Sequence, residues 1–168
     1  MDPVDLALLV LRVALGVTMF LHGANKVRGG LAGAAGWFAS MGMRPGMLNA
    51  RLAAGSEIVA GLAFAVGFGT PVAAAAIVGT MVVAGITAHR DKGFFIFNPD
   101  QGWEYVFVLA VAAFTVGAIG AGRISVDALL GIGGDAGLAT GWWWAAIAGI
   151  GGVGGGIAHL AVFWRPRR

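Results

Sequence analysis

The sequence predicts an all-α polytopic membrane protein, a four-helix transmembrane bundle with an appended fifth transmembrane helix. Composition is the first reason: 58% of the 168 residues are hydrophobic and only 11% charged, with a mean hydropathy of +0.84. Such a chain lacks the polar residues to cover a water-soluble domain. The second reason is the spacing of five apolar runs, Val4 to His22, Leu52 to Phe68, Pro71 to Ala88, Tyr105 to Ala121 and Trp142 to Trp164. Each meets or approaches the ~20 residues that cross ~30 Å of hydrocarbon at 1.5 Å per residue. None alternates polar and apolar residues, which excludes a transmembrane β-barrel.

The first run opens with Asp2 and Asp5, lacks a basic leader and carries Arg12 in its middle, so it is expected to stay as the first span and not to be removed as a signal peptide. The first connection, from Ala24 to Asn49, contains Trp37, Phe38 and Met41 in a half-polar stretch that either lies in the interface or dips back into the bundle. GFGTP, Gly67 to Pro71, is a tight turn with Pro71 in the first turn of the next helix, making the second and third helices antiparallel neighbours. The third connection, HRDKGFFIFNPDQGWEY, places aromatics around a Gly/Pro turn, as in an interfacial belt. After the fourth run, GRISVDALLG reads as a turn and a short amphipathic helix with Ser125 as N-cap and Asp127 in its first turn. These divisions give a core at residues 1–131, a Gly-rich linker at 132–141, and the fifth helix with a basic tail at 142–168. In that helix Gly151 with Gly155, and Gly152 with Gly156, form small-residue pairs that suit close packing on the core or on another subunit, a homo-oligomer included.

A sequence pI near 10.2 does not indicate nucleic acid, because the basic residues are spread between spans. Lys26, Arg28, Arg44, Arg51, Arg90, Lys92, Arg165, Arg167 and Arg168 belong to the first and third connections and the tail, against Arg123 alone on the other side. The positive-inside bias places those segments in the cytoplasm and the N-terminus outside. With no cysteine in the chain, thiol relay, disulfide and Fe–S chemistry must come from a partner. No metal-ligating cluster is evident.

Ionisable residues inside or beside a span are functional candidates by default. Arg12 is expected near mid-membrane with Glu57 as its partner, since an unpaired arginine there costs at least ~2.5 kcal/mol. His22 and Lys26 stack one turn apart on a helix face. His22, Lys26, Glu57, His89 and Glu104 are then expected to converge on the cytoplasmic half. Two of His22, His89 and His159 would suffice for axial ligation of a haem b, with His22 and His89 the named pair; hydrogen bonding across helices is the competing role, particularly for His159.

The strings LRVALGVTMFLHGANK, Glu57 followed by Gly61, HRDKGFFIFNPDQGWEY and GRISVDALLG together resemble the DoxX family of small bacterial membrane proteins. The resemblance extends over about residues 6 to 131, carried by Arg12, His22, Gly23, Lys26, Glu57, His89, Gly93, Phe94, Phe95 and Glu104; the fifth helix departs from the family's four-helix pattern. What it implies is a membrane subunit associated with thiol and oxidative-stress enzymes, related to the DoxD subunit of a thiosulfate:quinone oxidoreductase. A quinone is then the expected cofactor: Arg12, His22 and Lys26 donate to it, while Glu57 and Glu104 pass protons and His89 completes the site. A soluble or membrane protein partner is expected at the cytoplasmic loops or the fifth helix. The alternatives are a non-catalytic scaffold or assembly subunit, a small-molecule carrier, and a bis-His haem b protein.

Overall fold

The computed structural model describes residues 2–134 and 137–166. Of the basic tail, Arg167 and Arg168 therefore lie outside the described residues, as do Asp135 and Ala136 of the Gly-rich segment. Among the described residues the secondary structure is helical throughout, with no strand. The elements are α1 (Pro3–Arg28), α2 (Leu31–Ser40), α3 (Gly46–Val66), α4 (Thr70–Lys92), α5 (Glu104–Ile119), the short α6 (Val126–Leu129) and α7 (Trp142–Phe163). Three of them, α1, α4 and α7, are long and apolar enough to cross a membrane. Of the other two, α3 spans 21 residues but includes Asn49, Arg51 and Glu57, and α5 is apolar but only 16 residues long.

Each helix begins and ends for local reasons. Asp2 caps α1 by accepting from the Val4 amide at 2.9 Å, with Pro3 in the first turn. Between α3 and α4 the chain reverses through Gly67 (φ +70°) and Gly69 (φ +55°), left-handed conformations that favour glycine. Pro71 then opens α4 as the sequence predicts. Two helices contain a π turn, α4 at Gly85–His89 and α7 at Ile147–Gly151, a local widening that recurs at functional sites.

The bundle is organised around α1 against α3 and around α4, which packs on α3, α5 and α7. Gly16 and Gly61 bring the backbones of α1 and α3 together: a Cβ on Gly61 would stand 2.6 Å from the Gly16 carbonyl oxygen and 2.7 Å from the Phe20 nitrogen. Lower down, a Cβ on Gly23 would meet the Ala54 carbonyl oxygen at 2.7 Å and the Glu57 Cβ at 3.0 Å. The core holds Leu15, Met19, Phe64, Ile77 and Val116. Outward faces carry residues such as Val59, 67% exposed, and Ile150, 77% exposed, a surface for lipid instead of water.

The fifth apolar run packs on the core through one of its two glycine pairs. Gly152 and Gly156 face Val78, Gly79 and Val82 of α4, whereas Gly155 meets nothing. Both ends of α7 are stitched in place. At its start, Ala121 and Gly122 donate to the Gly137 carbonyl, and Ala139 donates to that of Ile119. At its end, the Arg44 amide donates to the Phe163 carbonyl and the Arg165 amide to that of Gly42, both at 2.8 Å. The first connection is resolved as helix α2, whose Phe38 packs with Met43, Ala50 and Leu160.

One sequence expectation is overturned. Arg12 does not pair with Glu57. It is fully buried and donates through Nη1 to the Ala65 carbonyl at 3.0 Å and through Nη2 to the Ile124 carbonyl at 2.5 Å. The register explains this: Ala65 and Glu57 are about 12 Å apart along α3 at 1.5 Å per residue, and the glycine contacts put Arg12 beside the former. The other buried charge at this turn is Asp127, which acts on Arg12 electrostatically without a salt bridge to it. Asp127 is also fully buried, and it caps not its own short helix but the start of α4. It accepts from the Gly69 amide at 2.7 Å, the Thr70 amide at 2.9 Å and the Thr70 hydroxyl at 2.6 Å. Ser125 is the cap of α6, accepting from the Ala128 amide.

Two outcomes follow from this packing. Gly61→Val should lower the thermal midpoint in detergent, with an overpacking cost of about 1 to 3 kcal/mol, and a midpoint equal to the parent's would contradict the close approach of α1 and α3. In double-mutant cycles on the same readout, Arg12→Leu with Asp127→Leu should show coupling of about 0.5 to 3 kcal/mol, while Arg12→Ala with Glu57→Ala should be additive.

Candidate functional site

The Glu57 carboxylate has a different partner, and a cavity forms around it. At the level of Gly23 the backbones of α1 and α3 are close enough that Lys26, one turn further along α1, reaches across to α3. Its ammonium donates to both carboxylate oxygens of Glu57, at 2.8 and 2.6 Å. The side chains are 19% and 7% exposed, so the pair is largely withdrawn from solvent. One ammonium N–H remains after the two bonds to Glu57.

This ion pair lines a cavity of about 750 Å³ whose wall is otherwise mainly apolar, built from α1, α2, α3, α4, α5 and α7. Met19, Phe38, Val106 and Leu109 supply apolar surface. Polar groups enter from every side. His22 lies beside Tyr105, with its Nε2 3.5 Å from the phenol oxygen and the ring centroids 6.1 Å apart. His89, in the π turn of α4, donates from Nδ1 to the Gln101 carbonyl at 2.9 Å. His159 of α7 is 2.9 Å through Nε2 from Asn49 Oδ1. A concave, largely apolar space with a few convergent polar groups is the usual form of a small-molecule site.

The structure thus brings together four of the six residues singled out in the sequence, His22, Lys26, Glu57 and His89, in the lining of one cavity. The other two are elsewhere. Arg12 lies at the opposite end of α3, its guanidinium bound to backbone carbonyls. Glu104 turns onto the third connection, where Oε2 accepts from the Ile96 amide at 3.0 Å. That contact, with the Glu104 amide on the Phe94 carbonyl at 2.8 Å, folds residues 93–103 into a braced loop. The loop also packs Phe94 edge-to-face on Trp103 and stacks Phe95 on Phe97. As for haem, the two histidines named for it have protein partners, a phenol for His22 and a carbonyl for His89.

Two cavity residues escaped the sequence reading. Tyr105 was legible only as the start of a span. Asn49, 1% exposed, was placed in a connection, yet it stands one turn inside α3. His159 hydrogen-bonds across helices as expected, to Asn49 of α3. A polar residue one turn inside an amphipathic helix start is the signal that would have found Asn49.

A model of the DoxX family matches residues 7–90. The match takes in α1 to α3 and α4 as far as Arg90, with Arg12, His22, Lys26, Glu57 and His89, and ends before Tyr105 and His159. No curated protein and no solved structure matches the chain significantly. With half of its length matched by the family model, and with apolar helices long enough to span a bilayer, the chain belongs to the DoxX family of membrane proteins.

Proposed function

We propose that this protein is an integral membrane subunit of a redox-linked complex, binding a quinone ring in the cavity beside Lys26 and Glu57 and acting with a soluble partner. In this reading α1, α3, α4 and α5 form a four-helix transmembrane bundle and α7 a fifth span. The N-terminus is outside and the cavity opens in the cytoplasmic half. The cavity is the observation that carries the proposal: an apolar space of about 750 Å³ with a buried lysine that keeps one N–H after bonding Glu57.

A quinone needs apolar surface for its ring and isoprenoid tail, and donors for its two oxygens. Lys26 offers a donor for one of them. Reduction of the bound ring takes two electrons and two protons. The chain has no cysteine, so the electrons come from a redox group on the soluble partner. His22 and Glu57 hold exchangeable hydrogens or lone pairs at the cavity wall and supply the proton route. Quinone is favoured over haem b because the free face of His22 is turned to a phenol, which suits proton transfer better than iron ligation. The scaffold alternative draws on the braced loop at residues 93–103, whose Phe97 is 78% exposed.

Single cysteines in this cysteine-free chain test the orientation. Leu129→Cys should label from outside and Asp91→Cys from the cytoplasm; the opposite pattern would reverse the topology. For the site, a benzoquinone with a ten-carbon tail should bind the purified protein. Lys26→Met or Glu57→Gln should weaken that binding at least tenfold while membrane insertion is retained. Parent-like affinity in both variants would remove the quinone reading and leave the scaffold.

A further inference from the structure

We propose that His159 is a specificity-determining residue of the cavity, an acceptor that selects the hydroxylated, reduced form of the ring over the quinone. This rests on the quinone reading above and adds to it the redox form that the site prefers.

The inference follows from a chain of hydrogen bonds in which each direction is forced. Asn49 Nδ2 is 2.8 Å from the Pro45 carbonyl oxygen. A carbonyl only accepts, so the amide nitrogen of Asn49 must be the atom facing it. Oδ1 is then the atom facing His159, and it too only accepts, at 2.9 Å from Nε2. The proton of the neutral imidazole is therefore on Nε2, and Nδ1 carries a lone pair. Asn49 is 1% exposed, so water does not compete for this arrangement. Phe163 flanks the imidazole, with ring centroids 4.8 Å apart. Among the described residues no group bonds Nδ1.

His159 and Lys26 both line the cavity, one from α7 and the other from α1; a ring that reaches both meets an acceptor at His159 and a donor at Lys26. A quinone has oxygens that only accept. It satisfies Lys26 but sets a lone pair against Nδ1, which leaves two acceptors without a hydrogen. A quinol satisfies both walls, because its hydroxyl oxygen accepts from Lys26 and its second hydroxyl donates to Nδ1. Buried groups left unpaired are what give polar sites their discrimination. The residue responsible lies on the helix that the family match does not reach.

The experiment uses the full-length purified protein and the ten-carbon-tailed benzoquinone, oxidised or chemically reduced and kept anaerobic, with binding read by quenching of tryptophan fluorescence; Trp37 lines the cavity. The parent should bind the quinol more tightly. His159→Phe should weaken quinol binding by about tenfold and change quinone binding less than twofold. His159→Gln, whose side-chain carbonyl accepts, should recover part of the loss. Asn49→Leu, which releases the imidazole tautomer, should narrow the preference without abolishing binding. Equal changes for both forms in His159→Phe, or none, would overturn this proposal while leaving the quinone site standing. A parent that binds neither form would overturn the quinone reading itself, and this proposal with it.

Discussion

Two buried charges at one turn hold the rest of the bundle in register. The Gly67–Thr70 reversal joins the C-terminal end of α3 to the N-terminal end of α4, where helix dipoles leave partial negative and positive charge respectively. Arg12 satisfies a carbonyl of the first end, and Asp127 accepts two amides and a hydroxyl at the second. Neither residue belongs to the helices that it caps, so α1 and the α6 segment are tied to the same turn. Both side chains are fully buried, so losing either one leaves backbone groups at that turn without their partner. That constraint fixes α1 against α3. The Gly16, Gly61 and Gly23 contacts then carry the register along the interface until Lys26 arrives over Glu57.

The sequence made the helical class and membrane character legible because the apolar runs are long and the charges few. It also exposed four residues of the cavity, since ionisable groups in apolar helices have few explanations other than pairing or chemistry. It failed for Arg12 because depth was inferred along single helices. Partnership depends on the relative slide of two helices, set here by glycines whose contacts sequence alone does not name. Asp127 lies, as expected, in the first turn of the short helix after the fourth run, but only the return of that segment onto the Gly67–Thr70 turn makes it a cap for α4. Glu104 shared the level of the cluster but turns to the Ile96 amide, a choice made by the loop's own backbone.

The two charged systems differ in what they leave open. Asp127 already accepts three hydrogen bonds, and the Arg12 guanidinium is bound to carbonyls on two separate segments, with only Nε lacking a partner. Such a centre is a structural clamp, fully buried and outside the lining of the cavity. Lys26 bonds a single residue and borders a cavity large enough for a ring. Charge with remaining hydrogen-bond capacity beside an open apolar space is the combination that binding needs, so position in the membrane alone would have ranked the two systems wrongly.

The fifth helix meets a physical requirement of the core as well as enlarging it. Asn49 lies one turn inside α3, where its amide oxygen would be buried among apolar neighbours without a donor, at a cost of about 1 to 3 kcal/mol. His159 supplies that donor. Gly152 and Gly156 bring α7 close to α4, and the bonds to Gly42 and Arg44 hold its end against the first connection. Satisfying Asn49 in this way places an imidazole on the cavity wall in one tautomer. A contact that settles a buried polar group thereby puts a residue of α7 in the cavity lining beside those of α1 and α3, and the added helix becomes part of the cavity through its packing.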